Sequence, residues 1–183
     1  MNMGVNCLSW LPDLTTSQIK YRAHCMRPNR EFLFKHPAHF VAFGFGAGLL
    51  PKAPGTWGTL VAIPIYLLAS AAGGVAVVVA VSLLLFAVGI WAAAVTGKAL
   101  GVADHGGVVI DEIAAFVLVL LFTPRGFFWM LLAFVLFRIF DIVKPWPIRY
   151  FDRTLKGGFG VMFDDFLAAV AAIATMLLLR TFL

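Results

Sequence analysis

The chain has 183 residues, a length that suggests one domain. It is 62% hydrophobic and only 13% charged, with a mean hydropathy of +0.96; ordinary soluble domains are about 45–50% apolar and about 25% charged. A soluble protein of this size would expose much of that apolar surface to water, so the composition points to a bilayer. The net charge of +5 fits the basic border of a membrane protein, and nucleic-acid binding is excluded because no basic stripe carries interleaved aromatics.

Residues 1–39 hold Lys20, Arg22, Arg27, Arg30 and Lys35 without a continuous apolar run. A secretory signal needs an apolar stretch of about 7–15 residues, so this segment reads instead as a basic, partly disordered leader that leans on anionic headgroups. Cys7 and Cys25 start no CxxC or zinc pattern and read as reduced and incidental. The remainder, 40–183, reads as the membrane-embedded domain.

Apolar runs then alternate with glycine-rich connectors. The first is Leu60–Ala72, ended by Gly73-Gly74, with Pro64 predicting a kink or a short tilted segment. The second, Val75–Val95, has no charge and is long enough to span a bilayer, which takes about 20 residues. The third, Ile113–Phe122, and fourth, Phe127–Phe137, flank Thr123-Pro124-Arg125-Gly126; each spans only if it extends into its polar neighbour. The fifth is Phe166–Leu179. Backbone groups in lipid must bond internally, so these runs are expected to be helices. The fold class expected is all-α, a polytopic membrane bundle of about four to five membrane helices. Its polar connectors 43–58, 97–112 and 138–165 share one face, and the cations Arg138, Lys144, Arg149, Arg153 and Lys156 make that face cytoplasmic.

Seven of the nine acids follow residue 100, and five of them meet helix ends on that face: Asp111-Glu112, Asp141 and Asp164-Asp165. Asp111 stands 13 residues before Pro124 and Arg138 stands 14 after it, so both lie at nearly equal height on a helical hairpin. Asp141 follows Arg138 by three residues and shares its helix face. One acid at a helix N-terminus is commonly a cap that favours the dipole, and Asp164 or Asp165 alone is open to that reading. Acids at membrane depth are costly unless paired or bound to a cation, and five on one face point to a hard ion such as Mg²⁺.

Residues 44–59 are glycine-rich, and Gly46, Lys52 and Thr56 are candidate phosphate contacts through backbone or side-chain donors. This is neither a Walker loop nor a dinucleotide fingerprint, and close helix packing explains glycines equally well. His105, six residues before Asp111, is a candidate substrate contact, and Arg138 and Lys144 are cations able to hold a phosphoryl group. A cysteine phosphatase is excluded because the position where C-x₅-R from Cys25 needs arginine is Glu31; no D-x-D occurs and no histidine follows His105. The residues alone reach an acidic metal-binding site at a cytoplasmic membrane face. The alternative from another class, a cation transporter or channel with an acidic intramembrane site, predicts acids spread through the membrane depth. A non-catalytic assembly protein predicts acids that can be replaced with little consequence.

Four segments carry a resemblance: GFGAGLLPKAPGTWGT (44–59), DHGGVVIDE (104–112), FRIFDIVKPWPI (137–148) and FDRTLKGGFGVMFDD (151–165). In order and spacing they resemble the phosphatidylglycerophosphatase A family over about residues 40 to 180. The resemblance implies a bacterial, Mg²⁺-dependent enzyme of the inner membrane that hydrolyses phosphatidylglycerophosphate to phosphatidylglycerol and phosphate. Asp111, Glu112, Asp141, Asp164 and Asp165 are the expected catalytic and metal-binding residues.

Overall fold

The computed structural model describes residues 28–102 and 104–182. The remainder of the basic leader, including both cysteines, lies outside the described residues. In chain order the elements are α1 (Arg30–Lys35), α2 (Pro37–Ala42), a 3-10 turn (Gly44–Leu49), α3 (Pro54–Leu100), α4 (Ile110–Phe122), α5 (Phe127–Val143), α6 (Ile148–Thr154) and α7 (Gly157–Arg180). Among the described residues there is no strand, so the fold is the all-helical one expected.

Two helices, α3 and α7, are long and apolar enough to cross a membrane. The 47 residues of α3 are not one straight rod. The backbone leaves helical geometry at Gly73 and Gly74, the latter at φ +62, where glycine lacks the Cβ that penalises the left-handed region. Gly58 faces Val109 and Glu112, while Gly89 faces Ile110 and Met162. In an unbroken helix those glycines, 31 positions apart, would be separated by about 46 Å. Both instead meet the start of α4, so the two arms, 54–72 and 75–100, double back on one another. At 19 and 26 residues they rise about 28 and 39 Å, close to the hydrocarbon thickness of about 30 Å. Pro64 sits within the first arm without taking the backbone out of helical geometry; the break falls at the glycine pair.

The short helix α4 is the centre of the bundle, with nine of its 13 residues buried. Phe116 on α4 packs against Phe134 and Phe137 of α5, at centroid distances of 5.9 and 5.5 Å. Small residues bring α7 onto the second arm: a Cβ at Gly158 would strike the Ile90 carbonyl, and Ala168, Ala169 and Ala172 are buried along the same helix. Outward positions such as Leu68, Leu83, Phe127, Leu131 and Leu178 are exposed and apolar, as a lipid-facing surface requires.

At the N-terminal edge, Asn29 accepts the Phe32 N–H and caps α1, and His36 Nδ1 accepts the Ala38 N–H ahead of α2. His39 is buried, stacks on Phe32 at 4.3 Å, and places Nδ1 3.0 Å from the Thr96 hydroxyl of the second arm. Burial, followed by repulsion from His36, lowers the His39 pKa, which favours the neutral ring. These contacts fix the glycine-rich turn that follows against the end of α3.

Candidate active site

The hairpin of α4 and α5 turns through residues 123–126, which sets two charged pairs side by side at its open end. The third and fourth apolar runs do extend into their polar neighbours: α4 takes in Asp111 and Glu112, and α5 takes in Arg138 and Asp141. Arg138 Nη1 lies 2.9 Å from Glu112 Oε1 and 2.7 Å from Asp141 Oδ2. Helix α7 delivers Asp165 to the same place. One carboxylate oxygen each from Glu112, Asp141 and Asp165 falls within 4.8 Å of the others. Glu112 Oε2 and Asp165 Oδ2 are buried without a hydrogen-bond partner among the described residues. Three carboxylates and one guanidinium, all ionised, sum to a charge of −2, and buried carboxylate oxygens without donors are costly.

Asp164, the neighbour on α7, is buried and accepts the Lys144 ammonium, which also donates to Asp152 Oδ1 at 2.9 Å. Lys144 caps α5 in the left-handed region at φ +44, and this turns its side chain back toward α7. Burial opposes its charge, but the bonds from Asp164 and Asp152 outweigh that and raise its pKa. Asp152 is likewise opposed by burial, and the Lys144 bond and charge pull its pKa down. The second Asp164 oxygen, Oδ1, has no donor among the described residues. Asp111 is buried in the first turn of α4, where Oδ1 accepts the Glu112 N–H at 3.0 Å.

Asp164 and Asp165 are not caps. Helix α7 begins at Gly157, so both lie about two turns into it, buried. The Gly157-Gly158-Phe159-Gly160 stretch looks like a connector in sequence but is the first turn of this helix, tightly set against the second arm.

The glycine-rich segment divides in two. Gly46, at φ +103, packs against Leu33 of α1, and Lys52 is exposed with φ +66. Thr56 is half-buried and donates its N–H to the Ala53 carbonyl at 3.0 Å. The glycines that meet the acids are Gly55 and Gly58: a Cβ at either would run into the Glu112 carboxylate. They form a small-x-x-small pair in the first two turns of α3, which is the signal in the sequence for close approach. Asp152, which anchors Lys144, carries no comparable local signal. His105 is half-buried beside Phe43, its Nδ1 accepting the Gly107 N–H at 3.0 Å; burial lowers its pKa against the opposing pull of Asp104. That bond gives the ring a local role in shaping the loop that leads into α4.

Residues 40–180 match the family described as Phosphatidylglycerophosphatase A. The chain belongs to the phosphatidylglycerophosphatase A family. It is 42% identical over 147 residues to the Phosphatidylglycerophosphatase A of Haemophilus influenzae, an alignment covering 80% of this chain and 90% of that one. It is also 42% identical over 136 residues to the Escherichia coli protein of the same name, covering 74% and 78%. A Bacteroides thetaiotaomicron protein, provisionally named a phosphatidylinositol-3-phosphatase, is 41% identical over 137 residues, covering 71% and 85%. No solved structure matches. Asp111, Glu112, Asp141, Asp152, Asp164 and Asp165 all lie within the region matched to the phosphatidylglycerophosphatase A family.

Proposed function

We propose that this protein is a Mg²⁺-dependent phosphatidylglycerophosphatase of the bacterial inner membrane, releasing inorganic phosphate from the lipid at the cytoplasmic face. The observation that carries the reading is the convergence of Glu112, Asp141 and Asp165 oxygens within 4.8 Å, beside the cation Arg138, in a chain of this family. Hard oxygen donors, two of them lacking hydrogen bonds, suit a small divalent cation. Glu112, Asp141 and Asp165 would hold the ion, which would supply charge neutralisation at phosphate oxygens and make the attacking water more acidic.

The side chains have separate tasks. Arg138 offsets the charge of Glu112 and Asp141 and presents donors to a phosphoryl oxygen. Asp164 lines an open cleft of about 200 Å³ with Asp104, Asp152, Arg153 and Lys156. Its Oδ1, without a donor, takes the proton from the attacking water while Lys144 holds Oδ2. Water adds to phosphorus, the phosphorus–oxygen bond to the lipid glycerol breaks, and the departing alkoxide takes up the proton held by Asp164. Gly55 and Gly58 leave room for the Glu112 carboxylate. The acids sit at one end of the bundle rather than through its depth, which favours surface chemistry over an ion path.

The test is phosphate release by the purified full-length protein in detergent, with and without Mg²⁺. Phosphatidylglycerophosphate, phosphatidate, phosphatidylinositol 3-phosphate and a soluble monoester are compared. Metal-dependent turnover of phosphatidylglycerophosphate, lost in Asp141→Asn and Asp111→Asn, is expected. Near-normal turnover in both variants would remove the acid cluster from the chemistry.

A further inference from the structure

A second cleft adjoins the acidic one. It lies between the end of α5 and α6, has a volume of about 490 Å³, and is lined by Lys144, Trp146, Arg149, Tyr150, Arg153 and Thr154 among others. Three of its lining side chains are cations and none is an acid. Arg153 lines both clefts, and Lys144 of the basic cleft bonds Asp152 and Asp164 of the acidic one, so the two are contiguous. Arg149 and Arg153 form no ion pair among the described residues. Trp146 and Tyr150 are 84% and 58% exposed at its rim. Such amphipathic rings sit at the level of lipid headgroups, where the phosphodiester of a phospholipid also lies.

We propose that this basic cleft binds the phosphodiester of the lipid substrate while the terminal phosphomonoester occupies the adjoining acidic cleft. The inference rests on the function proposed above and extends it to selectivity. Phosphatidylglycerophosphate carries two anionic groups separated by one glycerol: a diester at the membrane border and a monoester beyond it. The protein offers two neighbouring clefts: one lined by Asp104, Asp152 and Asp164 together with Arg153 and Lys156, with Asp164 next in the chain to Asp165 of the carboxylate cluster, and one whose only charged side chains are cations, suited to a diester. Phosphatidate carries its monoester directly on diacylglycerol and has no diester to place there. Arg149, which lines the basic cleft alone, and Arg153, which lines both, are therefore specificity-determining residues.

The experiment uses full-length protein in uncharged detergent micelles and compares wild type with Arg149→Gln/Arg153→Gln and Arg149→Lys/Arg153→Lys. Steady-state phosphate release gives KM and kcat for phosphatidylglycerophosphate; inhibition by short-chain phosphatidylglycerol, which has the diester without the monoester, reads the basic cleft alone. In the glutamine pair, KM and the phosphatidylglycerol inhibition constant are expected to rise together by roughly tenfold or more, as when charge-assisted hydrogen bonds are removed. The effect should fall on KM more than on turnover number, and the lysine pair should fall between. Unchanged KM and unchanged phosphatidylglycerol inhibition would overturn the proposal. So would an equal weakening toward phosphatidate, as substrate or inhibitor, since that would make the arginines a general attractor of anionic lipid. Absence of wild-type turnover would remove the parent function and this inference with it, a result distinct from turnover with an unaltered KM.

Discussion

Arg138 reaches Glu112 across the α4–α5 hairpin, Nη1 to Oε1 at 2.9 Å, and holds Asp141 with the same nitrogen. Both pairs are largely shielded from water, so removing the guanidinium leaves two carboxylates facing each other and Asp165. Arg138→Gln should cost about 3–5 kcal/mol of stability without divalent cations, the range for breaking a buried pair. Millimolar Mg²⁺ should restore much of that loss, because a cation at the carboxylates replaces the missing charge. Thermal unfolding with and without Mg²⁺ measures both effects; phosphate release should fall at least about 100-fold even at saturating metal.

Gly58 faces the Val109 side chain and Glu112 Oε2, and an added Cβ would stand 2.7 and 2.9 Å from the nearest atoms of each. Gly58→Ala should therefore push the first arm off α4, at a cost of about 1–3 kcal/mol for overpacking, and shift the Glu112 carboxylate. Gly106 has open space around its Cβ position. Gly106→Ala should keep activity within about twofold, a surface-like substitution. Side-by-side melting curves and phosphate-release rates distinguish the two.

The Lys144–Asp152 pair has a defined pH window. Asp152 has a folded pKa below its ordinary 3.8, so its contribution is present above 3.8 and lost as pH falls through the lower folded value. Lys144 has a folded pKa above its ordinary 10.5, so its contribution is present below 10.5 and lost as pH rises through the higher folded value. The stability difference between wild type and Asp152→Asn should accordingly be constant from about pH 8 to 9 and shrink below about pH 3.8. Asp152 is partly exposed, so the plateau should be small, about 1 kcal/mol or less. Unfolding followed across this range in one buffer series reads the shape directly.

Much of this arrangement is legible in the sequence because membrane helices have fixed rise and turn. Counting from Pro124 puts Asp111 and Arg138 at one height, and the structure joins Arg138 to Glu112, one residue on. The i, i+3 spacing places Asp141 beside Arg138 on one face. Gly73-Gly74 marks the reversal of α3 because two adjacent glycines leave nothing to hold the helix. Small residues mislead elsewhere, since the same glycine permits both a loop and a close helix contact. Gly157-Gly158 reads as a connector yet starts α7, and Gly55 and Gly58 touch Glu112 where Gly46 looks the better candidate. Asp152 is found only in three dimensions: its partner Lys144 is eight residues away across a non-helical turn, and no periodicity links them. Likewise the packing of α1 and α2 on the second arm depends on His39 meeting Thr96, 57 positions apart.

The central claim is that Glu112, Asp141 and Asp165 share one divalent cation. Equilibrium binding of Mn²⁺, a paramagnetic stand-in for Mg²⁺, followed by electron paramagnetic resonance on the detergent-solubilised full chain, measures this without relying on turnover. A saturable site in the wild-type protein, competed by Mg²⁺ and weakened at least about tenfold by Asp165→Asn, is the result expected for loss of one carboxylate ligand. Saturable binding that survives unchanged in Asp165→Asn and in Glu112→Gln, or no saturable binding in wild type, would contradict it.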